Sequence, residues 1–170
     1  RLTVIDPDTM QRATADTECP EASIARLSAS GNTVYVVGVR SIFRYHWDPA
    51  ASRLVFDPDW CFDYIGATTQ TYGWDVVLDG RNAWFMDNGR HNYFIRMIGS
   101  GLNPTPNRLI RVSLTDARDH QVLPVCGLKG GSITNPPLVD VKRRIVLAYD
   151  SANRCLCARR FDPALGTLAP

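Results

Sequence analysis

The sequence predicts an all-β fold made of repeated four-stranded antiparallel units, and its composition and hairpin patterns lead to this prediction. The 170 residues include 17 Arg but only two Lys, and 15 Asp but only two Glu. Lys and Glu favour helices whereas Asp favours turns, so this balance disfavours a helical fold. Two kinds of hairpin pattern alternate along the chain, and 12 Gly and 11 Pro supply residues for their turns.

The overall composition limits the classes of protein to which the chain can belong. An apolar content of 45% with 21% charged residues excludes a disordered or collagen-like chain. No apolar run is long enough for a membrane span, so none is expected. Residues 1–85 hold 7 basic and 11 acidic residues, and residues 86–170 hold 12 and 6. This asymmetry is too mild to indicate a nucleic-acid partner, but it is compatible with head-to-tail self-association.

The first hairpin pattern is a β-rich run that ends in Asp-Pro or Thr-Asp and is followed by a turn and a second run. Pro fixes φ and the Asp carboxylate accepts hydrogen bonds from nearby backbone N–H groups, so each instance predicts a tight turn between two strands. The pattern occurs four times, with anchoring residues at Asp6, Asp48, Asp116 and Asp162.

The second hairpin pattern is an apolar run, a short turn and another apolar run. Its turns are residues 30–32, 79–81 and 142–144, and Asp79-Gly80 is a strong signal for a tight hairpin. The runs 34–37 and 145–149 are almost continuously apolar, which is typical of strands buried on both faces. We therefore expect these runs to be the inner strands of each unit.

One hairpin of each kind makes a unit of about 45 residues, which is the size of one β-propeller blade. The predicted organisation is a single partial propeller over residues 1–170, with outer strands at 2–20 and blades at about 24–62, 73–127 and 136–170. Cys19, Cys61 and Cys126 fall 10–13 residues after an anchoring Asp, which places them on successive outermost strands. A β-sandwich with similar hairpins is the alternative fold.

The repeat resembles the blades of YVTN-type, NHL-type and quinoprotein-type propellers. Residues 4–9 are similar to the outer-strand turn of those repeats, and residues 83–89 and 146–153 are similar to an inner strand that runs into an acidic loop. The resemblance implies a fold and not an activity. About three and a half blades cannot close a ring, so we expect a part of a larger propeller, or a ring completed by self-association or by a further propeller segment.

The longest loop of the predicted fold is the candidate binding segment. We define the loop face as the side with the loops that enter the innermost strands (62–73 and 128–136) and those that leave the second strands (38–41, 87–107 and 150–154). Residues 87–107 exceed the repeat by about 20 residues, and loops of this size often bind ligands, although packing on a neighbouring blade is the alternative. The predicted ligand-binding residues are Arg40, Trp74, Asp75, Arg90 and Tyr93, and His91 is the candidate catalytic acid or base.

Oxygen-bearing side chains near the loop face are a candidate metal site. Calcium prefers six or more oxygen ligands, which carboxylates and amides supply. The candidate ligands are Asp75, Asp87, Asn88, Asn135 and Asp150. The pattern resembles that of six-blade lactonases, which hold a channel metal with Asp, Asn and Glu. Both Glu residues of this chain lie near Cys19, away from the loop face, and capping of turns is the alternative role of each Asp and Asn.

Functions of two classes remain open from the sequence. One is binding of a small ligand or a protein partner on the loop face; the other is catalysis, by a calcium-type hydrolase of the lactonase kind or by a quinone-linked dehydrogenase. Trp74, Trp84 and Arg40 are the residues available to clamp a quinone ring. The chain has no nucleophile elbow, P-loop or His-Glu-x-x-His motif, so the sequence leaves open whether it is an enzyme. The five cysteines are expected to be mostly reduced and buried, and a secreted or periplasmic location is favoured over a cytoplasmic one.

Overall fold

The computed structural model describes residues 2–14, 24–38, 40–64, 73–87, 108–124, 136–150, 154–162 and 167–168. Within these ranges the chain forms β-strands joined by turns and bends, in agreement with the all-β prediction. The same part of the chain contains no helix that is long and apolar enough to cross a membrane.

The described strands form one hairpin followed by three four-stranded sheets. The hairpin consists of β1 (Thr3–Ile5) and β2 (Arg12–Thr14). Sheet 1 consists of β3 (Ile24–Ser30), β4 (Thr33–Gly38), β5 (Ser41–Asp48) and β6 (Arg53–Asp63). Sheet 2 consists of β7 (Gly73–Leu78), β8 (Asn82–Asp87), β9 (Arg108–Ser113) and β10 (His120–Pro124). Sheet 3 consists of β11 (Leu138–Asp140), β12 (Ile145–Asp150), β13 (Cys155–Asp162) and β14 (Thr167–Leu168).

Strand order within each sheet follows the order along the chain. Strands that are consecutive in the sequence pair antiparallel, so both predicted kinds of hairpin are present in sheets 1 to 3. The prediction that one hairpin of each kind combines into a four-stranded antiparallel sheet is confirmed. Propeller-type blades have this construction.

Short polar side chains close the turns between strands. Asp6, Asp48 and Asp79 each accept hydrogen bonds from the backbone N–H groups two and three residues later, at 2.7–3.3 Å. The prediction that Asp116 caps the β9–β10 turn holds, because its Oδ1 accepts a hydrogen bond from the backbone N–H of Arg118 at 3.0 Å. Ser113 caps the start of the same turn, because its hydroxyl accepts from the N–H groups of Thr115 and Asp116 at 3.2 and 3.4 Å. Ser and Asp both carry an oxygen within reach of their own backbone, so either can cap a turn.

The hairpin and the three sheets pack face to face in chain order. Alternate residues of a strand point to opposite faces, so sheets 1 and 2 each bury one side against the preceding unit and the other against the following sheet. Ile42 of sheet 1 and Phe85 of sheet 2 belong to one buried cluster. Trp84, the neighbour of Phe85, belongs to the next cluster and meets Phe161 of sheet 3 edge-on at 5.6 Å between ring centroids. Sheet 2 is thus covered on both faces.

The cysteines depart in two respects from the expectation that they are mostly reduced and buried. Cys61 and Cys155 are reduced, as expected, but Cys61 is exposed, and Cys157 is disulfide-bonded. The partner of Cys157 lies outside the described residues. Cys157 also belongs to the buried cluster between sheets 2 and 3. The expectation therefore fails for the redox state of Cys157 and for the burial of Cys61, and it holds for the burial of Cys157.

Candidate functional site

The loop face is located by strand ends with equivalent places in the three sheets. Gly38 ends β4, Asp87 ends β8 and Asp150 ends β12, and each of these strands is the second of its sheet. Asp87 lies directly opposite Arg108, the first residue of β9, in the antiparallel register. The loop face is therefore the end of the sheets from which residues 88–107 depart and to which they return.

An ion pair between Asp87 and Arg108 joins the two strand ends that flank residues 88–107. The Asp87 side chain is fully buried, and Arg108 Nε donates a hydrogen bond to Asp87 Oδ2 at 2.6 Å. A second guanidinium nitrogen of Arg108 contacts the same carboxylate oxygen. A buried carboxylate is tolerated only when it is paired and hydrogen-bonded, so this contact fixes the two strand ends that flank residues 88–107.

Tyr64 connects the same ion pair to sheet 1. Arg108 Nη2 donates a hydrogen bond to the backbone carbonyl of Tyr64 at 2.7 Å. The buried Tyr64 hydroxyl in turn donates to the carbonyl of Gly38 at the end of β4. Its ring packs edge-on against Phe85 of β8, with centroids 5.2 Å apart. The loop ends of sheets 1 and 2 are therefore held together by polar and aromatic contacts through one tyrosine.

Arg40 is the predicted ligand-binding residue whose side chain the structure describes. It is exposed, it follows β4, and its Nη2 lies 3.2 Å from Asp63 Oδ2 at the end of β6. Ion pairs at such exposure contribute little stability, about 0–1 kcal/mol. Exchange of Asp63 for a ligand carboxylate or phosphate is therefore energetically accessible to Arg40.

The remaining predicted site residues divide into two groups. Trp74 and Asp75 lie near the start of β7 and Asp150 ends β12, so their backbone positions are at the loop face. A register shift between Trp74 and Val76 marks a β-bulge at Asp75, and bulges are enriched beside functional sites, where they redirect a side chain. The other group, which lies outside the described residues, comprises Asn88, Arg90, His91, Tyr93 and Asn135.

A calcium site at the loop face stays a prediction. Asp87, one of its proposed ligands, is already neutralised by Arg108, so a cation would have to compete with the guanidinium. Among the residues that the structure describes, no group of three or more His, Cys, Asp or Glu side chains is placed to hold a metal.

Trp84, a candidate clamp for a quinone ring, is fully buried between sheets 2 and 3. Its indole Nε1 donates a hydrogen bond to Asp79 Oδ2 at 2.7 Å. Asp79 also caps the β7–β8 turn, which lies at the end of sheet 2 opposite the loop face. The described contacts of Trp84 are thus those of a residue that joins two sheets.

A second polar network lies between sheets 1 and 2, away from the loop face. Arg44 Nε donates to Asp57 Oδ2 at 2.7 Å, and its guanidinium lies 5.1 Å from the ring centroid of Trp60. His46 Nε2 also contacts Asp57, at 3.2 Å. Burial raises the pKa of Asp57, but hydrogen bonds from Arg44 and His46 outweigh that effect and leave the pKa below its ordinary value. Arg44 Nη1 also donates to the Leu114 carbonyl in the β9–β10 turn at 2.6 Å, so the network joins β5 to β6 and sheet 1 to sheet 2.

The sequence did not reveal Arg108 and Tyr64 as parts of the site. Asp87 and Arg108 are separated by 20 residues, and only the antiparallel pairing of β8 with β9 brings them opposite each other. A signal was nevertheless present, because Arg108 begins a β-rich run just after the long loop. Pairing the last acidic residue before an insertion with the first basic residue after it would have predicted this contact.

Comparison with known proteins supports the fold. No protein-family model and no curated protein matches the chain. A solved structure of a luciferin-regenerating enzyme, which has a propeller-like fold, is similar with a TM-score of 0.55 and 14% sequence identity. The match covers 99% of this chain and 51% of that enzyme, so the chain spans about half the length of its structural neighbour. At this identity the likeness concerns the fold alone.

Proposed function

We propose that the chain is part of a β-propeller that binds a ligand on its loop face, with residues 88–107 as the main contact segment. The observation that carries this proposal is the buried Asp87–Arg108 pair, which holds the two ends of the segment together. Binding loops are effective when a rigid scaffold positions them. A decorative loop would not require a charged pair at its base, since an apolar contact would be as stable there.

The chemistry of the segment favours an anionic ligand group. Residues 88–107 contain Arg90 and Arg96 but no Asp or Glu, and Arg40 lies exposed on the same face. Arginine binds carboxylate and phosphate groups through two parallel N–H donors. Tyr93 supplies an aromatic surface with a hydroxyl donor in the same segment. A small carboxylate or phosphate compound, or an acidic segment of a protein, is the ligand class that this composition accepts.

Calorimetric titration with citrate and with inorganic phosphate tests this proposal. We expect saturable binding that weakens about tenfold or more when Arg90 or Arg40 is changed to Ala, since a charged hydrogen bond contributes about 1.5–3 kcal/mol. Arg118→Ala is the matched control, because Arg118 is an exposed arginine on the β9–β10 turn, at the opposite end of sheet 2. Equal loss in the control variant, or no saturable binding of either anion, would refute the proposal.

A calcium-dependent hydrolase is a second candidate, supported by the backbone positions of Asp75, Asp87 and Asp150 at one end of sheets 2 and 3. Elemental analysis and calcium titration test it. Stoichiometric calcium that is lost in Asp75→Ala but retained in the control Asp8→Ala supports the candidate. Absence of calcium binding at millimolar metal removes it, because even weak extracellular sites bind at about 10⁻⁴–10⁻³ M.

A further inference from the structure

Repeat-equivalent residues of sheets 1 and 2 are buried by the sheet that follows. In sheet 1, Val37 of β4 lies opposite Ile42 of β5, and both are fully buried in the cluster shared with sheet 2. In sheet 2, Met86 of β8 lies opposite Leu109 of β9, and both are buried in the cluster shared with sheet 3. Each pair is close to the loop-face end of its sheet and faces the next sheet in the stack.

The equivalent pair of sheet 3 is exposed. Tyr149 of β12 lies opposite Leu156 of β13, and their exposed fractions are 42% and 64%. Leu138 of β11, which is 60% exposed, lies on the same face through its pairing with Leu147. We call this surface, formed by Leu138, Leu147, Tyr149 and Leu156, the tail face. Contiguous exposed apolar surface is a common feature of interaction sites.

The other end of the stack has a matching exposed position. In sheets 1 and 2, the residue just before the one that caps the turn between the third and fourth strands faces the preceding unit. Trp47 precedes Asp48 and packs in the cluster shared with the hairpin. Val112 precedes Ser113 and packs in the cluster shared with sheet 1. Ile5 directly precedes Asp6, which caps the β1–β2 turn in the same way, and Ile5 is 47% exposed. The outward side of the hairpin, which we call the head face, therefore exposes a residue that its repeat equivalents pack against a neighbour.

A two-stranded hairpin is sufficient to cover part of a four-stranded sheet. On its inward side the hairpin places Leu2 and Val4 over sheet 1, and Val36 and Phe43 of sheet 1 are fully buried in that cluster. Those two residues belong to β4 and β5, the second and third strands. Tyr149 and Leu156 belong to the second and third strands of sheet 3, so a hairpin has the width needed to cover them.

We propose that two copies of this chain associate head to tail, with the head face of each copy on the tail face of the other. Two such contacts related by a two-fold axis close a ring without leaving either face open.

Charge complementarity favours this arrangement over a contact between two tail faces. Residues 1–85 carry a net charge of −4 (7 minus 11) and residues 86–170 carry +6 (12 minus 6). Exposed Asp8 lies in the β1–β2 turn, and exposed Lys142 and Arg144 lie in the β11–β12 turn. Both turns are at the end of the stack opposite the loop face, so head-to-tail contact brings opposite charges to the same rim. Contact between two tail faces would instead bring like charges together.

Sedimentation velocity of the full chain at about 1–100 µM, a range that covers weak interfaces, tests the proposal. We expect a species with twice the mass of the 18.9 kDa chain. Ile5→Lys and Leu156→Lys should each raise the dissociation constant at least about tenfold, because each introduces a charge into an apolar contact. Val55→Lys is the control, since Val55 is also an exposed apolar residue but lies on β6, away from both faces. Circular dichroism checks that each variant is folded.

Mixing the two variants separates head-to-tail contact from the other geometries. A mixed pair of Ile5→Lys and Leu156→Lys chains contains one contact between two unsubstituted faces, so mixing should restore part of the dimer. A chain that stays monomeric at about 100 µM overturns the proposal. So does a dimer that resists both substitutions, or one that responds to Leu156→Lys alone, because the latter indicates contact between two tail faces. Since anion titration does not depend on the dimer, failure here leaves the proposed function separately testable.

Discussion

Replacement of Arg108 by Met should destabilise the protein because it leaves a buried charge without a partner. Asp87 is fully buried, and its carboxylate contacts two nitrogens of the Arg108 guanidinium. Removing one member of a buried ion pair typically costs about 3–5 kcal/mol. The variant also loses the hydrogen bond to the Tyr64 carbonyl, which places the expected loss toward the upper end of that range.

Thermal and urea unfolding of Arg108→Met measure this loss directly. For a chain of this size, about 1 kcal/mol corresponds to a shift of about 2–4 °C, so the midpoint should fall by about 10 °C or more. Arg40→Ala is the matched control, since it breaks the exposed pair with Asp63 and should change stability by less than about 1 kcal/mol. The double variant Asp87→Leu with Arg108→Met should recover most of the loss, because it removes the unpaired charge. Equal effects of Arg108→Met and Arg40→Ala would refute the assignment of Asp87 as a buried charge.

Three further predictions follow from packing, pH and redox state. Leu109→Ala should cost about 2–5 kcal/mol in chemical denaturation and Leu27→Ala less than about 0.5, because Leu109 is buried whereas Leu27 is exposed; similar values would show that the two positions do not differ in burial. Asp57 has a lowered pKa in the folded state, so its contribution to stability is present above the ordinary carboxyl pKa and is lost as pH falls through the folded value. The stability difference between the parent and Asp57→Asn should therefore shrink on acidification below about pH 4, and urea unfolding that shows a constant difference would contradict this. Under non-reducing conditions, Cys157→Ser should lower the free energy of unfolding by about 2–4 kcal/mol and reduce the thermal midpoint accordingly, whereas Cys61→Ser should change both little. Equal effects of the two substitutions would indicate that the disulfide does not constrain the fold.

The hairpins could be predicted from the sequence because the physics of a tight turn is local. Asp79 caps its turn with a carboxylate that reaches only two and three residues ahead, so a short sequence window contains the whole interaction. At the β9–β10 turn two side chains share this local role. Asp116 accepts the N–H of Arg118, as predicted, and Ser113, which ends β9, accepts the N–H groups of Thr115 and Asp116.

The partners of the site residues could not be predicted in the same way because they depend on strand pairing. The sequence identifies Asp87 as an acidic residue beside a long loop, but its chemistry is decided by Arg108, which the pairing of β8 and β9 places opposite it. A carboxylate without that neighbour would be a natural calcium ligand. With the neighbour it is half of a neutral pair. The register of β8 with β9 therefore determines whether an aspartate at this position is available to a metal ion or is paired with an arginine.

The position of this ion pair bears on the proposal that the loop face binds a ligand. Burying a charged pair is often no more stabilising than burying apolar residues of the same size, so stability alone does not explain a pair at the base of residues 88–107. A guanidinium–carboxylate contact differs from an apolar contact in that it fixes direction as well as distance. Because Arg108 also binds the carbonyl of Tyr64, that direction is set relative to sheet 1 as well as to sheet 2. The two residues that flank residues 88–107, Asp87 and Arg108, are therefore positioned relative to both sheets at once.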